Sequence, residues 1–250
     1  MNGQTPTPLI PWIVSGVLIS LSRLPCPTWA QPAISTAQVT AIVGRDVLIA
    51  GQVARVNDTA QTGQQIRTTQ ARTQILLDTG FMTRLGPGSA YTLRADCIEV
   101  TAGKLLIHGP SQVCYANVIV AAQGTTYLIQ IFSTGSAQLS VLEGSLAVSN
   151  PHNAGIPPLT ILPGHVVTID REGREQSRRD LSAPQYGVLL ADELMTLFGN
   201  LPDRSRFRST FVRLYPGDPV PSPIQIPADR GAGPISGVRR FRESLFFAHP

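Results

Sequence analysis

Short stretches in which apolar and polar residues alternate make up most of the chain between residues 39 and 170. A repeat of two residues is typical of β-strands that bury one face. In Thr125–Phe132, however, apolar side chains occupy both sets of alternating positions, with Tyr127 on one and Leu128 on the other. A strand that is apolar on both faces has to be covered on both sides. We therefore expect it in the centre of a sheet, or in a sheet that wraps around itself.

Turn-forming residues separate these strands at nearly every gap. The chain contains 22 glycines and 21 prolines, which supply the backbone angles of tight turns. The predicted turns are Asp78–Gly80, Gly86–Gly88, Thr101–Gly103, Ser133–Gly135 and Glu143–Gly144. The predicted strands are Val39–Val43, Val47–Val56, Thr73–Leu77, Met82–Leu85, Ala90–Leu93, Cys97–Val100, Lys104–His108, Val113–Ala121, Thr125–Phe132, Ala137–Leu142, Ser145–Ser149, Leu159–Leu162 and His165–Asp170. The sequence thus predicts an all-β fold of many short antiparallel strands, arranged as a sandwich, a roll or a short β-solenoid.

The predicted β domain spans residues 39–170, and a leader segment of residues 31–38 precedes it. Residues 171–184 form a charged connector, and residues 185–200 form one short amphipathic α-helix. Its apolar face either packs on the β domain, where it could cover a strand edge, or docks into a groove of a partner. Residues 201–250 are a tail rich in proline and arginine, which we expect to be poorly ordered.

The N-terminal 30 residues have the character of a signal peptide. The apolar run Leu9–Leu21 is shorter than the ~20 residues of an ordinary membrane-spanning helix, and Pro11 interrupts it. Thr28 and Ala30 are small residues at the positions that a signal peptidase reads, so we predict cleavage after Ala30 and a mature chain that begins at Gln31. The alternative is an uncleaved leader that anchors the protein in the inner membrane. A signal peptide implies a periplasmic or other extracytoplasmic location.

Charge is distributed unevenly along the chain. Residues 31–170 hold seven Lys or Arg and seven Asp or Glu, whereas residues 171–250 hold twelve and nine. A nucleic-acid interface would group its cations on one face beside stacking aromatic side chains, and the basic part of the chain has no such motif. We therefore expect no nucleic acid among the partners.

Two cysteines remain after removal of the predicted signal peptide, which contains Cys26. In an oxidising compartment Cys97 and Cys114 could form a disulfide, with a short hairpin over Thr101–Ile107 bringing them together. They could equally be two small buried side chains. Neither the cysteines nor the four histidines have the spacing of a metal site, so no metal is predicted.

Motifs of catalysis and of cofactor binding are missing from the sequence. No GxSxG, HExxH, GxxxxGK[ST] or GxGxxG segment occurs. Glu143 is the most suggestive acidic residue, but as a catalytic carboxylate it lacks a partner, and in a hairpin turn it needs only solvent. We therefore predict neither an enzyme nor a cofactor.

A series of short phrases between residues 39 and 170 resembles the FecR-domain family. They are GQQIRT (Gly63–Thr68), the strand ARTQI (Ala71–Ile75), the turn Asp78–Gly80, RLGPGS (Arg84–Ser89), TAGKL (Thr101–Leu105), GTTY (Gly124–Tyr127), VLEGSL (Val141–Leu146) and LPGH (Leu162–His165). Gln123 stands where the family usually has an arginine, and Thr101 where it often has a leucine. The positions that carry the motifs are Gly63, Arg67, Asp78, Gly80, Gly86, Gly124, Thr125, Glu143, Gly144, Pro163 and Gly164.

The resemblance implies a bacterial envelope protein with a protein partner. The best-known FecR-like proteins are membrane-spanning regulators that sense a transporter outside and control a sigma factor inside. Here only about eight residues precede the apolar run, too few for a folded cytoplasmic domain. We therefore expect an exported protein-binding or sensing module, with a structural or glycan-associated envelope protein as the alternative. A membrane-anchored regulator of a sigma factor is a third possibility.

Overall fold

The computed structural model describes residues 33–199 and 203–224. The predicted signal peptide, its cleavage site after Ala30 and residues 225–250 of the predicted tail lie outside the described residues. Strands account for 48% and helices for 14% of the structure, which confirms the predicted all-β class. The strands are β1 (Thr36–Val43), β2 (Val47–Ile49), β3 (Gln52–Val53), β4 (Thr59–Gln61), β5 (Gln65–Thr68), β6 (Arg72–Leu77), β7 (Met82–Leu85), β8 (Ala90–Leu93), β9 (Ile98–Tyr115), β10 (Val118–Ile131), β11 (Ala137–Glu143), β12 (Leu146–Ser149), β13 (Leu159–Ile161), β14 (His165–Ile169) and β15 (Glu175–Asp180).

These strands form one antiparallel sheet that is open at its edges. Its main path runs β15-β14-β11-β10-β9-β7-β6-β1-β4. The long strands β9 and β10 also carry side branches, because β8 and β5 continue from β9 while β12 and β13 continue from β10. The inner face of the sheet surrounds one hydrophobic cluster, to which Val39, Ile75, Tyr91, Ile107, Val120, Tyr127, Leu139 and Val148 belong.

Strand β9 curls back on itself. An extended strand of its 18 residues would be ~60 Å long, yet the Cα atoms of Cys97 and Cys114 are 5.8 Å apart and a disulfide joins the two residues. The bends coincide with Gly103 and Gly109, which have φ angles of +83° and +108°. Only glycine adopts such angles without strain. The disulfide therefore connects the residue just before this curled strand to a residue near its other end.

Removing this disulfide should destabilise the fold. For the double substitution Cys97→Ser and Cys114→Ser, which opens a loop with a sequence separation of 17, we expect a loss of about 3 kcal/mol in the free energy of unfolding. Chemical denaturation would measure this loss, and adding a reductant to the natural chain should reproduce it. Two titratable thiols in the natural, non-reduced protein would contradict the assignment.

The predicted hairpin over Thr101–Ile107 is wrong, because β9 runs through this segment without reversing direction. Gly103 bends the strand, and its partner strand changes there from β8 to β7. The real reversal is at Ala116–Asn117, where Tyr115 pairs with Val118. Ala116 has a φ of +49°. Alanine rarely occupies such a position, so the sequence predicted an uninterrupted strand there.

The segments on either side of the predicted β domain are more ordered than expected. Thr36 to Gln38, in the predicted leader, belong to β1 and pair with β4. The Asp78 carboxylate fixes this start by accepting hydrogen bonds from the amides of Ser35 and Thr36, both at 2.9 Å. The predicted connector of residues 171–184 likewise contains strand β15, which pairs with β14.

The sequence predicted one helix at residues 185–200, whereas the structure has three helices after β15. They are α1 (Ala183–Leu190), α2 (Glu193–Thr196) and α3 (Arg204–Leu214), and a 3-10 turn follows at Ser222–Ile224. Ser182 and Gln185 form a reciprocal cap at the start of α1. The predicted helix is divided at Asp192, whose carboxylate accepts a hydrogen bond from the amide of Leu194 at 3.0 Å and so caps the start of α2. Helix α3 lies in the predicted tail, and it is ordered because it buries Phe207 and Phe211. Each buried side chain of this size stabilises by ~1.5–3 kcal/mol.

The three helices, here called the helical cover (residues 183–214), pack on the outer face of the sheet. They form a second hydrophobic cluster with Leu106, Leu128, Leu142 and Val166. This explains the strand with two apolar faces, since Tyr127 belongs to the inner cluster and Leu128 to the outer one. In the described structure, the predicted amphipathic segment therefore packs on the β domain of its own chain.

Candidate binding surface

The FecR-like motif positions build corners of the fold. Gly63, with a φ of +89°, donates its amide to the carbonyl of Leu93 at 2.7 Å. Gly80 closes the turn after Asp78 with a φ of +88°, and Gly86 donates to the carbonyl of Lys104 at 2.9 Å. Arg67 lies exposed on β5. These residues set the backbone path in the first half of the domain.

The second group of motif residues connects neighbouring turns. The buried Thr125 hydroxyl donates to the Ser145 carbonyl at 2.8 Å, just after Gly124, which has a φ of +69°. A Cβ atom on Gly144 would lie 2.6 Å from that hydroxyl oxygen, so the close approach requires glycine. Following Pro163, Gly164 donates to the Val141 carbonyl at 2.9 Å and borders the helical cover at Leu214.

Glu143 lies at the junction between the sheet and the helical cover. Its carboxylate is 3.1 Å from the guanidinium of Arg206 in α3. Burial raises the pKa of Glu143, and the Arg206 charge opposes that shift. The sequence missed this partner because α3 falls in the predicted tail. Glu143 thus helps to fix the cover to the sheet.

His108 and Glu143 lie in the same row across the sheet, with Thr126 between them. Its Nδ1 lies 2.8 Å from the Thr126 hydroxyl. Burial lowers the pKa of His108 below its usual 6.5, and the charges of Arg206 and Arg84 add to this shift while Asp203 opposes it. The neutral ring therefore stabilises the folded chain above about pH 6.5, and that contribution is lost as the pH falls.

Replacing His108 with glutamine should remove this pH dependence. We expect the stability advantage of the natural chain over the His108→Gln variant to be largest above pH 7 and to shrink as the pH falls below 6.5. Glu143 titrates with the opposite sign, but both proteins contain it, so its effect cancels in the difference. Denaturation curves at several pH values would measure the effect, and a constant difference would contradict the assignment.

Turns from four parts of the chain meet at one end of the sheet, here called the loop end (residues 116–117, 132–136, 150–158 and 170–174). Glu172 holds three of them together. Its carboxylate accepts from Asn117 Nδ2 at 2.7 Å and from Asn150 Nδ2 at 3.2 Å, and its carbonyl accepts from Asn150 Nδ2 at 2.9 Å. Asp170 stabilises the last turn by accepting from the amides of Glu172 and Arg174, both at 2.9 Å.

Two depressions lie on the surface of the loop end. One, of ≈ 330 Å³, is bordered by Gly155–Leu159 and Gly173–Glu175. The other, of ≈ 550 Å³, is lined by Thr134, Gly135, Ser136, Asp170, Arg171, Glu172 and Gln176. The guanidinium of Arg171 lies against Gly135, where a Cβ atom would come within 2.6 Å of Nε. Within residues 33–199 and 203–224 this guanidinium makes no hydrogen bond or ion pair, so it is available to a ligand.

The described part of the chain holds no group of three or more His, Cys, Asp or Glu side chains placed to bind a metal ion. In the same residues no helix has both the length and the apolar character needed to cross a membrane. Of the turns at the loop end the sequence predicted Ser133–Gly135, but not the other three turns or that the four meet. The asparagines that join them to Glu172 are 22 and 55 positions away from it, which no local pattern indicates.

No family model matches the chain, and none of the curated proteins matches it. Two solved structures are similar to it, each described as a "putative anti-sigma factor" from Parabacteroides distasonis ATCC 8503. The first is 15% identical with a TM-score of 0.41, and the match covers 50% of this chain and 62% of that one. The second is 16% identical with a TM-score of 0.42, and the match covers 60% of this chain and 74% of that one.

Proposed function

We propose that this chain is an exported FecR-like protein that acts as a non-catalytic protein-binding or sensing module in the bacterial cell envelope. The loop end is the observation that carries the proposal. Binding residues often lie on loops that a rigid scaffold positions. Here hydrogen bonds through Glu172 and Asp170 fix the turns before any partner arrives, which lowers the entropy lost on binding.

Arg171 gives this surface a preferred partner chemistry. Its guanidinium is exposed and available, whereas the neighbouring carboxylates of Asp170 and Glu172 already accept hydrogen bonds. Arginine binds carboxylates with two parallel hydrogen bonds. A protein partner that presents an acidic side chain to the depression beside Gly135 therefore fits this surface.

Export is supported by the disulfide between Cys97 and Cys114, since such bonds persist in oxidising compartments. Fractionation of cells that express the tagged full chain, with determination of the N-terminal residue, tests this part of the proposal. A product in the extracytoplasmic fraction that begins at Gln31 is expected. A membrane-bound product that retains Met1 would instead favour the membrane-anchored regulator of a sigma factor.

Partner binding is tested by a pull-down from the envelope fraction with the natural chain and with Arg171→Glu. We expect the natural chain to recover a transporter or a regulator, and the variant to recover at least tenfold less. Arg45→Glu is the matched control, because Arg45 is also an exposed arginine but lies in the turn between β1 and β2. Equal recovery by both variants would refute the loop end as the contact.

The polar lining of the larger depression favours one alternative, a structural or glycan-associated envelope protein. Hydroxyl, carboxylate and amide groups from Thr134, Ser136, Asp170 and Gln176 surround it, and such groups can hydrogen-bond to sugars. Sedimentation with purified peptidoglycan distinguishes the two functions. Cosedimentation of the natural chain that Arg171→Glu abolishes would favour the glycan, whereas a chain that stays in the supernatant would favour the protein partner.

A further inference from the structure

Helix α3 is basic on the sides that it turns away from the sheet. It contains four arginines and no acidic residue. The side that faces the sheet carries its buried residues, which are Phe207, Thr210 and Phe211. With about 3.6 residues per turn, Ser205, Ser209 and Val212 form the opposite stripe. Arg208 and Arg213 border this stripe on either side, so the outward surface of α3 has an arginine along each margin.

The side chains of Arg208 and Arg213 are available to a partner. Neither forms a hydrogen bond or an ion pair with another residue of the described chain. Arg206, by contrast, lies 3.1 Å from the carboxylate of Glu143. Two charges of α3 are therefore not neutralised by contacts within the described structure.

A third unpaired arginine, Arg179 of β15, lies beside the same surface. It is opposite Val166 in the ladder, and Val166 belongs to the hydrophobic cluster under the helical cover. The hydroxyl of Tyr215, at the end of α3, donates to the carbonyl of Leu181 at 2.6 Å, so the ends of α3 and β15 are close together. Within the described residues the Arg179 side chain makes no hydrogen bond or ion pair. Two elements thus add cations to one side of the protein.

The acidic side chains beside this surface offset only part of its charge. Asp203, which precedes α3, accepts from the Ser205 hydroxyl at 2.6 Å, and Asp180 lies 3.2 Å from His165. Asp218, which follows α3, is exposed and offsets one of the three arginines. The surface stays positive and is therefore complementary to an anionic partner.

The helical cover also exposes apolar side chains, with 70% of Val188, 43% of Leu197 and 48% of Val212 accessible. A helix whose arginines border an apolar residue suits the boundary between lipid headgroups and acyl chains. Guanidinium groups bind phosphate through two parallel hydrogen bonds. The depressions of the loop end include no residue of the cover. Because the three arginines are spread over two elements, mobile lipid headgroups match them better than the fixed carboxylates of a protein.

We propose that the outer side of the helical cover binds to the surface of a membrane that contains anionic phospholipids. Arg179, Arg208 and Arg213 bind headgroup phosphates, and Val212 lies against the headgroup boundary. Three arginines give a reversible association that weakens as the salt concentration rises. The contact stays on the membrane surface and needs no spanning helix. It does not depend on what the loop end binds.

Vesicle cosedimentation tests this proposal, with the full chain purified from the fraction in which it accumulates. Vesicles of phosphatidylcholine are compared with vesicles that also contain about 30% phosphatidylglycerol. At ~1 kcal/mol for each arginine, the natural chain should bind the anionic vesicles about 100-fold more tightly than the neutral ones. Raising the salt concentration from about 0.05 to 0.5 M should remove most of this preference. A retained leader would insert into both kinds of vesicle, so the ratio reports on the arginines.

Charge removal locates the contact. The double variant Arg208→Gln and Arg213→Gln loses two charges, so its preference for anionic vesicles should fall about 30-fold. The double variant Arg208→Lys and Arg213→Lys keeps both charges and should retain most of the preference. Arg45→Gln is the matched control, because Arg45 is exposed but lies in the turn between β1 and β2. Thermal unfolding establishes that each variant is folded.

Equal binding of the natural chain to neutral and anionic vesicles would overturn the proposal. So would a glutamine double variant with the natural preference, because the contact would then lie elsewhere in the chain. If the natural chain shows no preference and the glutamine variant loses an envelope protein in the pull-down, the surface belongs to an acidic protein instead. The vesicles contain no protein, so their result does not bear on the pull-down with Arg171→Glu, and the two proposals fail independently.

Discussion

Replacing Gly103 with alanine should destabilise the protein by about 4 kcal/mol. Two effects add up at this position. The φ of +83° lies in the left-handed region, which costs a residue with a side chain ~1–2 kcal/mol. The new Cβ would also lie 2.3 Å from the Ser89 hydroxyl oxygen and 2.4 Å from its Cα. Because a backbone atom is involved, the strands must shift, and such overpacking costs a further ~1–3 kcal/mol.

Gly88→Ala is the matched control for this prediction. Gly88 also has a positive φ, of +64°, but nothing lies within 4 Å of the position of a Cβ atom there. We therefore expect a loss of only ~1 kcal/mol, from the backbone conformation alone. Urea denaturation of both variants gives the comparison. Equal losses would mean that β8 and β9 are not in close contact at Gly103, which would contradict the curled path of β9.

Replacing Arg84 with alanine should also cost about 4 kcal/mol, because one buried side chain connects the sheet to the helical cover. Its guanidinium donates to the carbonyls of Leu194 and Met195 at 2.8 and 3.0 Å, and its Nε donates to Gln74 at 2.9 Å. Only 2% of Arg84 is exposed. Burial lowers the pKa of Arg84 to about 10, so the group remains charged at neutral pH. Each buried carbonyl left without a donor costs ~1–3 kcal/mol, and two carbonyls lose theirs here.

The same variant should loosen the cover before the sheet unfolds. In Arg84→Ala the carbonyls at the end of α2 lose their donor, so limited proteolysis is expected to cut within residues 183–214 faster than in the natural chain. Arg84→Lys keeps a charge but loses the planar fork, and an intermediate loss is expected. Arg45→Ala, at an exposed position, should change stability by less than ~0.5 kcal/mol. An Arg84→Ala protein as stable as this control would contradict the described contact.

The alternation of apolar and polar residues predicted those strands whose buried faces can be read from neighbouring positions in the sequence. In Thr125–Phe132 the two apolar faces are visible in the sequence, and the structure covers both. The curl of β9 was not predictable in this way. A glycine such as Gly103 is compatible both with a turn that reverses the chain and with a bend in a continuous strand. Which of the two occurs depends on Ser89, the residue just before β8, which lies against Gly103. At the turn of Ala116–Asn117 a single asparagine was the sequence signal, and it was missed because alanine is not a turn-forming residue.

The contacts that attach the helical cover to the sheet were not predictable from the sequence either. Arg84 is part of the phrase RLGPGS, which resembles a FecR corner, yet its hydrogen bonds go to carbonyls 110 and 111 positions away. Helix α3 was missed because proline and arginine dominate the composition of the predicted tail and obscure Phe207 and Phe211. The loop end depends in the same way on Glu172, which meets Asn117 across the fold. Local patterns describe the strands, whereas long-range polar contacts determine the surfaces.

Photo-crosslinking in intact cells tests the proposed function most directly. A photoreactive residue at Thr134, in the larger depression, is compared with one at Gln61 on β4, at the other end of the strand order. From Thr134 we expect a discrete adduct between this chain and a different envelope protein, and from Gln61 we expect none. No adduct from Thr134, or the same adduct from both positions, would contradict a partner bound at the loop end.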